Sequence, residues 1–188
     1  MGIAKAVKEK GYDNVAIDTL AYQYSRKAPK KIVPEENVIV RYCTIEGCYS
    51  HSMDDPRCPQ KAALMEELLE WCAICDRMYV WDYTTNYGFT IGIFPDFDVL
   101  QKNIQYFHKL GVKGVFEEGN YYIDQCDTEF EELRAYLISR LLRNPYCDMD
   151  KEMQLFCDWY YGDGGRYVKA AIEAIQDRKK DGYLTIYH

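Results

Sequence analysis

Two acidic side chains stand at the ends of short apolar runs, where parallel α/β proteins often carry their chemistry. Asp82 ends the run RMYVWD, and Glu117 follows the run VKGVF. A glycosidase needs one carboxylic acid to protonate the leaving oxygen and a second carboxylate as nucleophile or base. Asp82 and Glu117 are the best candidate pair for these roles. A competing interpretation is that both acids cap the following helices, because a helix N-terminus favours negative charge.

Aromatic and polar side chains accompany these acids. The chain contains 18 tyrosines, and each offers a flat apolar face together with a hydroxyl. Such faces pack against the apolar side of sugar rings, while amide and imidazole groups bind sugar hydroxyls. The candidate substrate-binding residues are Tyr22, His51, Trp81, Tyr83, Asn86 and Asn120. The alternative is that the tyrosines form an aromatic core, since aromatic side chains are often buried.

Four soft metal ligands occur within a stretch of 16 residues. Cys43, Cys48, His51 and Cys58 have the donor set of a Cys3His zinc site. Their spacing lacks the paired Cys-x2-Cys knuckles of common zinc modules, so buried thiols are the competing interpretation. The Gly-rich phosphate loop, the Gly-x-Ser-x-Gly elbow and the His-Glu-x-x-His motif are missing. The sequence therefore predicts no cofactor, with this zinc site as the alternative.

The pattern of apolar residues predicts strands that alternate with helices. The predicted strands are Val15–Leu20, Asn37–Cys43, Arg77–Asp82 and Val112–Phe116. The predicted helices are Ile3–Lys10, Lys61–Asp76, Phe97–Leu110, about Thr128 to Leu142, Asp150–Tyr161 and Arg166–Lys179. This alternation is typical of parallel βα units, which bind ligands at the carboxyl ends of their strands.

The number of predicted strands limits the architecture. A complete eight-stranded βα barrel usually needs about 250 residues, and this chain has 188. Four strands fill half of such a barrel or form a small doubly wound sheet, and periodicity does not separate the two. We expect residues 1–147 to form the βα part and residues 148–188 to form a helical tail that packs on it.

Composition excludes several classes of partner. The net charge of −7 argues against non-specific nucleic-acid binding, which needs clustered Lys and Arg. No apolar run reaches the length of a membrane-spanning helix, and no apolar signal core follows Met1. We therefore expect no nucleic-acid or membrane partner, and a cytoplasmic protein by default.

Several longer strings resemble a known bacterial family. These are NVIVRYCTIEGCYSHSMDDPRC, WCAICDRMYVWDYTTNY, FPDFDVLQKNIQYFHKLGVKGVFEEGNY, ELRAYLISRLLRNPYCDMD and FCDWYYG. They resemble the family called domain of unknown function 4838, from about Ile3 to about Ile175. The stretches WDYTTNY and GVKGVFEEGNY are the most specific.

The resemblance implies a glycoside-hydrolase-like βα barrel, similar to the α-glucuronidase and hexosaminidase barrels. Val15–Leu20 then corresponds to about the fifth barrel strand and Val112–Phe116 to about the eighth. In related enzymes the general acid commonly follows the fourth strand, so this chain lacks its acid partner, while Asp82 takes the place of a nucleophile or base. Glu118 stands where the family is expected to have glutamine, which favours Glu117.

These implications predict a fragment or truncated relative of a carbohydrate-active barrel protein that retains part of a glycan site. The alternatives are a non-catalytic sugar-binding or oligomeric α/β module and a zinc-stabilised scaffold. A half barrel exposes two edge strands and its apolar interior. We therefore expect a carbohydrate ligand, and either a homodimer that completes the barrel or tail helices that fold over the opening.

Overall fold

The structure is a computed structural model, and it describes residues 2–88, 92–119, 129–179 and 182–186. The strands are β1 (Ile17–Ala21), β2 (Val38–Cys43), β3 (Met78–Tyr83) and β4 (Gly114–Glu118). The helices are α1 (Gly2–Glu9), α2 (Pro59–Cys72), α3 (Phe97–Lys109), α4 (Glu131–Arg143), α5 (Met149–Tyr161) and α6 (Gly165–Arg178). Within the described residues, no helix is long and apolar enough to cross a membrane.

The four strands form one parallel sheet in the order β1-β2-β3-β4. The predicted α/β class is therefore confirmed. The fourth strand begins two residues later than the sequence pattern predicts, because Gly111 takes a positive φ of 77° and the Val112 N–H bonds back to the Phe107 carbonyl. As a result, Glu117 and Glu118 lie inside the strand, and their side chains point to opposite faces of the sheet.

Helices α2 and α3 cover the same face of this sheet, which we call the covered face. Val40, Tyr42 and Val80 pack there against Leu68 of α2 and Phe107 of α3. The strands therefore follow one another across the sheet in chain order, with α2 and α3 on one side of it.

The other side of the sheet is the open face. Its lower part holds a chain of contacts in which Arg41 pairs with Asp18 and lies over the Tyr79 ring at 5.6 Å. Tyr79 in turn lies so close to Gly114 that a Cβ there would come within 2.1 Å of the ring. Higher up, Leu20 and Phe116 remain 45% and 44% exposed. The upper part of the open face is therefore an apolar surface that the described residues leave partly uncovered.

The last three helices form a second core with α3. Leu100 and Ile104 of α3 pack against Leu137 of α4, Phe156 of α5 and Ile172 of α6. The tail helices thus pack against the helical layer instead of folding over the open face. The predicted helix from about Thr128 begins at Glu131, after Phe130 in the left-handed region at φ 47°, and Thr128 lies outside the described residues.

A short C-terminal segment, residues 182–186, returns to the carboxyl ends of the strands. The Tyr49 N–H bonds to the Leu184 carbonyl and the Tyr87 N–H bonds to the Ile186 carbonyl, both at 2.7 Å. Ile186 is fully buried beside Tyr83. This segment therefore connects the loop after β2 to the loop after β3.

Candidate functional site

Aromatic rings gather on the open face near the carboxyl ends of β3 and β4. The centres of the Trp81 and Tyr83 rings lie 6.2 Å apart, and their planes are only 18° from parallel. The two residues are two positions apart in β3, so their side chains point to the same face of the sheet. Phe116 of β4 meets the Trp81 ring edge-on at 4.9 Å. We call Trp81, Tyr83, Tyr87 and Phe116 the open-face aromatic cluster. A hollow of about 270 Å³ adjoins it and is also lined by Leu20, Tyr22, Cys43, Ile45 and Glu118.

One carboxylate belongs to this cluster. Trp81 Nε1 donates a hydrogen bond of 2.7 Å to Glu118 Oε2, and the Tyr87 hydroxyl donates to Glu118 Oε1. These two bonds fix the carboxylate beside the aromatic rings. Burial raises the pKa of Tyr83 well above its ordinary value, with Cys43 and Glu118 adding to the shift, so its hydroxyl stays protonated at neutral pH. Half-buried Trp81 and partly exposed Phe116 therefore offer apolar ring surface next to a fixed hydrogen-bond acceptor, while Tyr83, 4% exposed, packs beside Trp81.

Asp82 and Glu117 lie on the covered face, on the opposite side of the sheet from this cluster. They are direct neighbours in the register of β3 and β4. Asp82 is 2% exposed, and it accepts hydrogen bonds from Thr44 Oγ1 and, at 3.3 Å, from Asn103 Nδ2 of α3. The structure thus brings together Asp82 and Glu117, the acid pair predicted from the sequence. It places them beneath the loop after β2 and not beside the aromatic cluster.

The two members of this acid pair differ in their surroundings. Glu117 Oε2 is shielded from solvent and accepts no hydrogen bond from the residues that the structure describes. Burial raises the pKa of Glu117 well above its ordinary value, Asp82 and Asp96 raise it further, and Lys61 opposes them. Lys61 is itself fully buried over the Tyr49 ring, at 5.0 Å, and its Nζ makes no hydrogen bond within the described ranges. Glu117 is therefore the less stabilised carboxyl of the pair.

A buried ion-pair cluster adjoins the acid pair. Arg134 of α4 pairs with Asp96 and with Glu129, and all three side chains are buried. The Arg134 guanidinium also lies 4.2 Å from the centre of the Phe97 ring. Burial raises the pKa of Asp96 to about 6, while Arg134 pulls in the opposite direction. This cluster ties the start of α4 to the start of α3.

The soft ligands separate into two places. Cys48, His51 and Cys58 have ligand atoms that all lie within 4.8 Å of one another. Cys43 does not belong to this group, because it ends β2 with its side chain on the open face, beside the hollow. Burial raises the pKa of the Cys43 thiol to about 11. The structure therefore brings together three of the four ligands that the sequence suggested.

Comparison with known proteins provides a family. The family model described as "Domain of unknown function (DUF4838)" matches residues 2–173 of the 188-residue chain. The chain belongs to this family. No curated protein and no solved structure matches it. The description of DUF4838 assigns no reaction, so the function has to be argued from the geometry.

The other residues predicted to bind substrate in this DUF4838 chain have different positions. Tyr22 lies with Trp81 and Tyr83 along the hollow. His51 lies with the cysteines and contacts the Tyr183 ring at 5.7 Å. Asn86 accepts a hydrogen bond of 2.7 Å from the Gly88 N–H in the turn after β3. Asn120 lies outside the described residues.

A larger groove of about 650 Å³ passes His51 on the side of the helices. It is lined mainly by polar and charged side chains, among them Asp55, Lys102 and Glu173. It contains neither the aromatic cluster nor the acid pair, so we place the candidate site at the smaller hollow on the open face. Tyr87 is a residue of this site that the sequence analysis missed, and Glu118 is one that it set aside in favour of Glu117. The register of β3 and β4 pairs Glu118 with Tyr83 and so puts it on the same face as Trp81.

Proposed function

We propose that this DUF4838 chain provides part of a carbohydrate-binding site in a glycoside-hydrolase-like βα barrel. The observation that carries the proposal is the aromatic pair Trp81 and Tyr83, stacked beside the fixed carboxylate of Glu118 at the carboxyl ends of parallel strands. Aromatic faces bind the apolar side of a sugar ring, and a carboxylate accepts hydrogen bonds from its hydroxyls. Ligands of parallel α/β folds bind at this end of the strands.

The open face supports the view that the sheet is about half of a barrel. Its side chains form rows across neighbouring strands, such as Leu20, Arg41 and Tyr79, as barrel-interior residues do. Leu20 and Phe116 are 45% and 44% exposed, although apolar side chains gain by leaving water. Further strands, from a second copy or from another segment, would cover them and complete the wall of the hollow.

Catalysis by Asp82 and Glu117 is a second, finer proposal. In its favour, the two acids are neighbours and the pKa of Glu117 is raised, as a general acid requires. Against it, both side chains are on the covered face, away from the aromatic cluster. The geometry therefore favours sugar binding over hydrolysis for this chain by itself. Turnover of aryl glycosides that Asp82→Asn abolishes would support the catalytic proposal.

Calorimetric titration tests sugar binding. The purified chain is titrated with a panel of neutral and acidic oligosaccharides. Losing the apolar contact of one buried aromatic side chain costs about 1.5–3 kcal/mol. We therefore expect Trp81→Ala to weaken binding by about 10- to 100-fold.

Trp159→Ala is the matched control, because Trp159 lies on α5 and is 79% exposed. We expect this control to bind like the unmodified chain. An equal loss in both variants, or no binding to any oligosaccharide by the unmodified chain, would contradict the proposal.

A further inference from the structure

Three metal-ligating side chains that the proposed sugar site does not use converge on the loop after β2. The ligand atoms of Cys48, His51 and Cys58 lie within 4.8 Å of one another, and 3.2 Å separates Cys48 Sγ from His51 Nδ1. Both cysteines are fully buried and neither forms a disulfide. The fold thus brings two sulfurs and one imidazole nitrogen to one point.

The spacing of these atoms suits a tetrahedral metal ion. With Zn–S distances of about 2.3 Å and Zn–N distances of about 2.0–2.1 Å, two sulfurs around one zinc lie about 3.8 Å apart and a sulfur and a nitrogen about 3.6 Å apart. Shifts of about 1 Å or less therefore bring the three atoms to ligating distance of a common centre. Thiolate and imidazole are the ligands that zinc prefers over carboxylates and carbonyls.

The local backbone holds the ligands in place. Cys58 is the N-cap residue of α2 and precedes Pro59 at the first helical position. The Cys58 N–H bonds to the Asp55 carbonyl, and its carbonyl accepts from the Ala62 N–H. Tyr49, next to Cys48, is tied by its N–H to the C-terminal segment. The backbone at Cys58 and next to Cys48 is therefore held by hydrogen bonds.

We propose that Cys48, His51 and Cys58 bind one Zn²⁺ ion per chain. The proposal needs neither the sugar site nor Cys43, which faces the other side of the sheet.

The ion would connect the loop after β2 to the first turn of α2. The same loop covers the acid pair, since its Thr44 donates to Asp82 and its Met53 N–H bonds to Asn103 at 2.8 Å. Zinc binding would therefore stabilise the part of the loop that covers Asp82, and its removal would lower the unfolding temperature.

The experiment is a metal titration of the full chain, reduced and freed of metal. Cobalt(II) serves as the spectroscopic probe, because a thiolate-to-cobalt charge-transfer band reports sulfur ligands directly. We expect a band that saturates at one equivalent and disappears when zinc chloride displaces the cobalt. Elemental analysis of the zinc-loaded chain should then find one zinc per chain, and a chelator should lower its unfolding temperature.

Four variants separate this site from other outcomes. Cys48→Ser and Cys58→Ser should weaken zinc binding by more than about 100-fold, since even outer-shell partners contribute 10- to 100-fold, and His51→Gln should keep the charge-transfer band but bind more weakly. Cys43→Ser should bind like the unmodified chain.

Loss of metal in Cys43→Ser would overturn the three-ligand assignment. A reduced chain that binds well below one equivalent of either metal would overturn the site altogether. So would a Cys48–Cys58 disulfide that forms in place of metal binding. All of these results are independent of sugar binding, so failure of the zinc proposal does not bear on the proposed function.

Discussion

Replacing Glu117 by glutamine should make the protein more stable at neutral pH, which is unusual for a change at a buried site. Glu117 Oε2 is shielded from solvent and has no hydrogen-bond partner among the described parts of the chain, and its strand neighbour is the buried Asp82. Burial raises the pKa of Glu117 well above its ordinary value, with Asp82 as the next cause. Glutamine has nearly the same shape and removes the charge.

The stabilisation expected from Glu117→Gln has an upper limit. The Glu117 carboxyl takes up a proton whenever burying its charged form would cost more free energy than protonating it. At pH 7.5 the medium is about three pH units above the ordinary glutamate pKa, so holding the carboxyl protonated costs about 4 kcal/mol at most. Lys61 offsets part of this cost, and the amide is itself imperfectly paired. We therefore expect Glu117→Gln to raise the free energy of unfolding by about 1–3 kcal/mol at pH 7.5.

The sign of the pH dependence follows from the raised pKa. Between the ordinary pKa and the raised one, the folded state binds more protons than the unfolded state, so stability falls as pH rises through that window. At pH 5 the limit shrinks to about 1 kcal/mol. The gain from Glu117→Gln should therefore be large at pH 7.5 and nearly gone at pH 5.

Urea unfolding followed by tryptophan fluorescence, at both pH values, measures this difference. Glu118→Gln is the matched control: it is the next residue, it faces the other side of the sheet, and both its oxygens accept hydrogen bonds. We expect no stabilisation from this control. A Glu117→Gln protein that is no more stable at pH 7.5, or whose gain is the same at both pH values, would refute the reasoning.

Two further expectations concern the helical core and the open face. Arg134→Met leaves Asp96 and Glu129 buried without their cation, so it should lower the free energy of unfolding by about 3–5 kcal/mol in urea. The more exposed ion pair of Arg140 with Glu152 should contribute less than about 1 kcal/mol to the free energy of unfolding. Equal losses on breaking the Arg134 and Arg140 ion pairs would contradict the stabilising role given to the buried Arg134 cluster. If a second copy covers the open face, sedimentation should give twice 22.1 kDa and Leu20→Glu should return the monomer; a monomer at every concentration would contradict this homodimer.

Much of the secondary structure was predictable because it depends on local patterns. The alternation of β-branched and amphipathic segments placed all four strands within a few residues, and the helix predicted over Phe97–Leu110 stops just before Gly111, whose φ is 77°. The helix Phe97–Lys109 was found almost to the residue. The fourth strand was shifted by two positions, since the backbone after Gly111 first returns to the helix through the Val112 N–H.

That shift decided how the candidate site was interpreted. A strand that ended at Phe116 made Glu117 and Glu118 equivalent loop residues, and the resemblance then favoured Glu117. In the structure Glu118 joins the aromatic cluster on the open face, while Glu117 faces the helices. The same alternation puts the Cys43 side chain on the open face, and this separates it from Cys48, His51 and Cys58, which follow β2 in the chain.

By itself, the sequence determined the parallel α/β class, the family and the residue types available for chemistry, because local propensity and recognisable strings are properties of the chain alone. Tertiary structure alone decided which of those residues meet. Side chains alternate between the two faces of a strand, so a one-residue difference in register moves a carboxylate from an aromatic hollow to a buried pair. Contacts such as Asp82 with Asn103, or Tyr49 with Leu184, join distant parts of the chain, and only packing determines them.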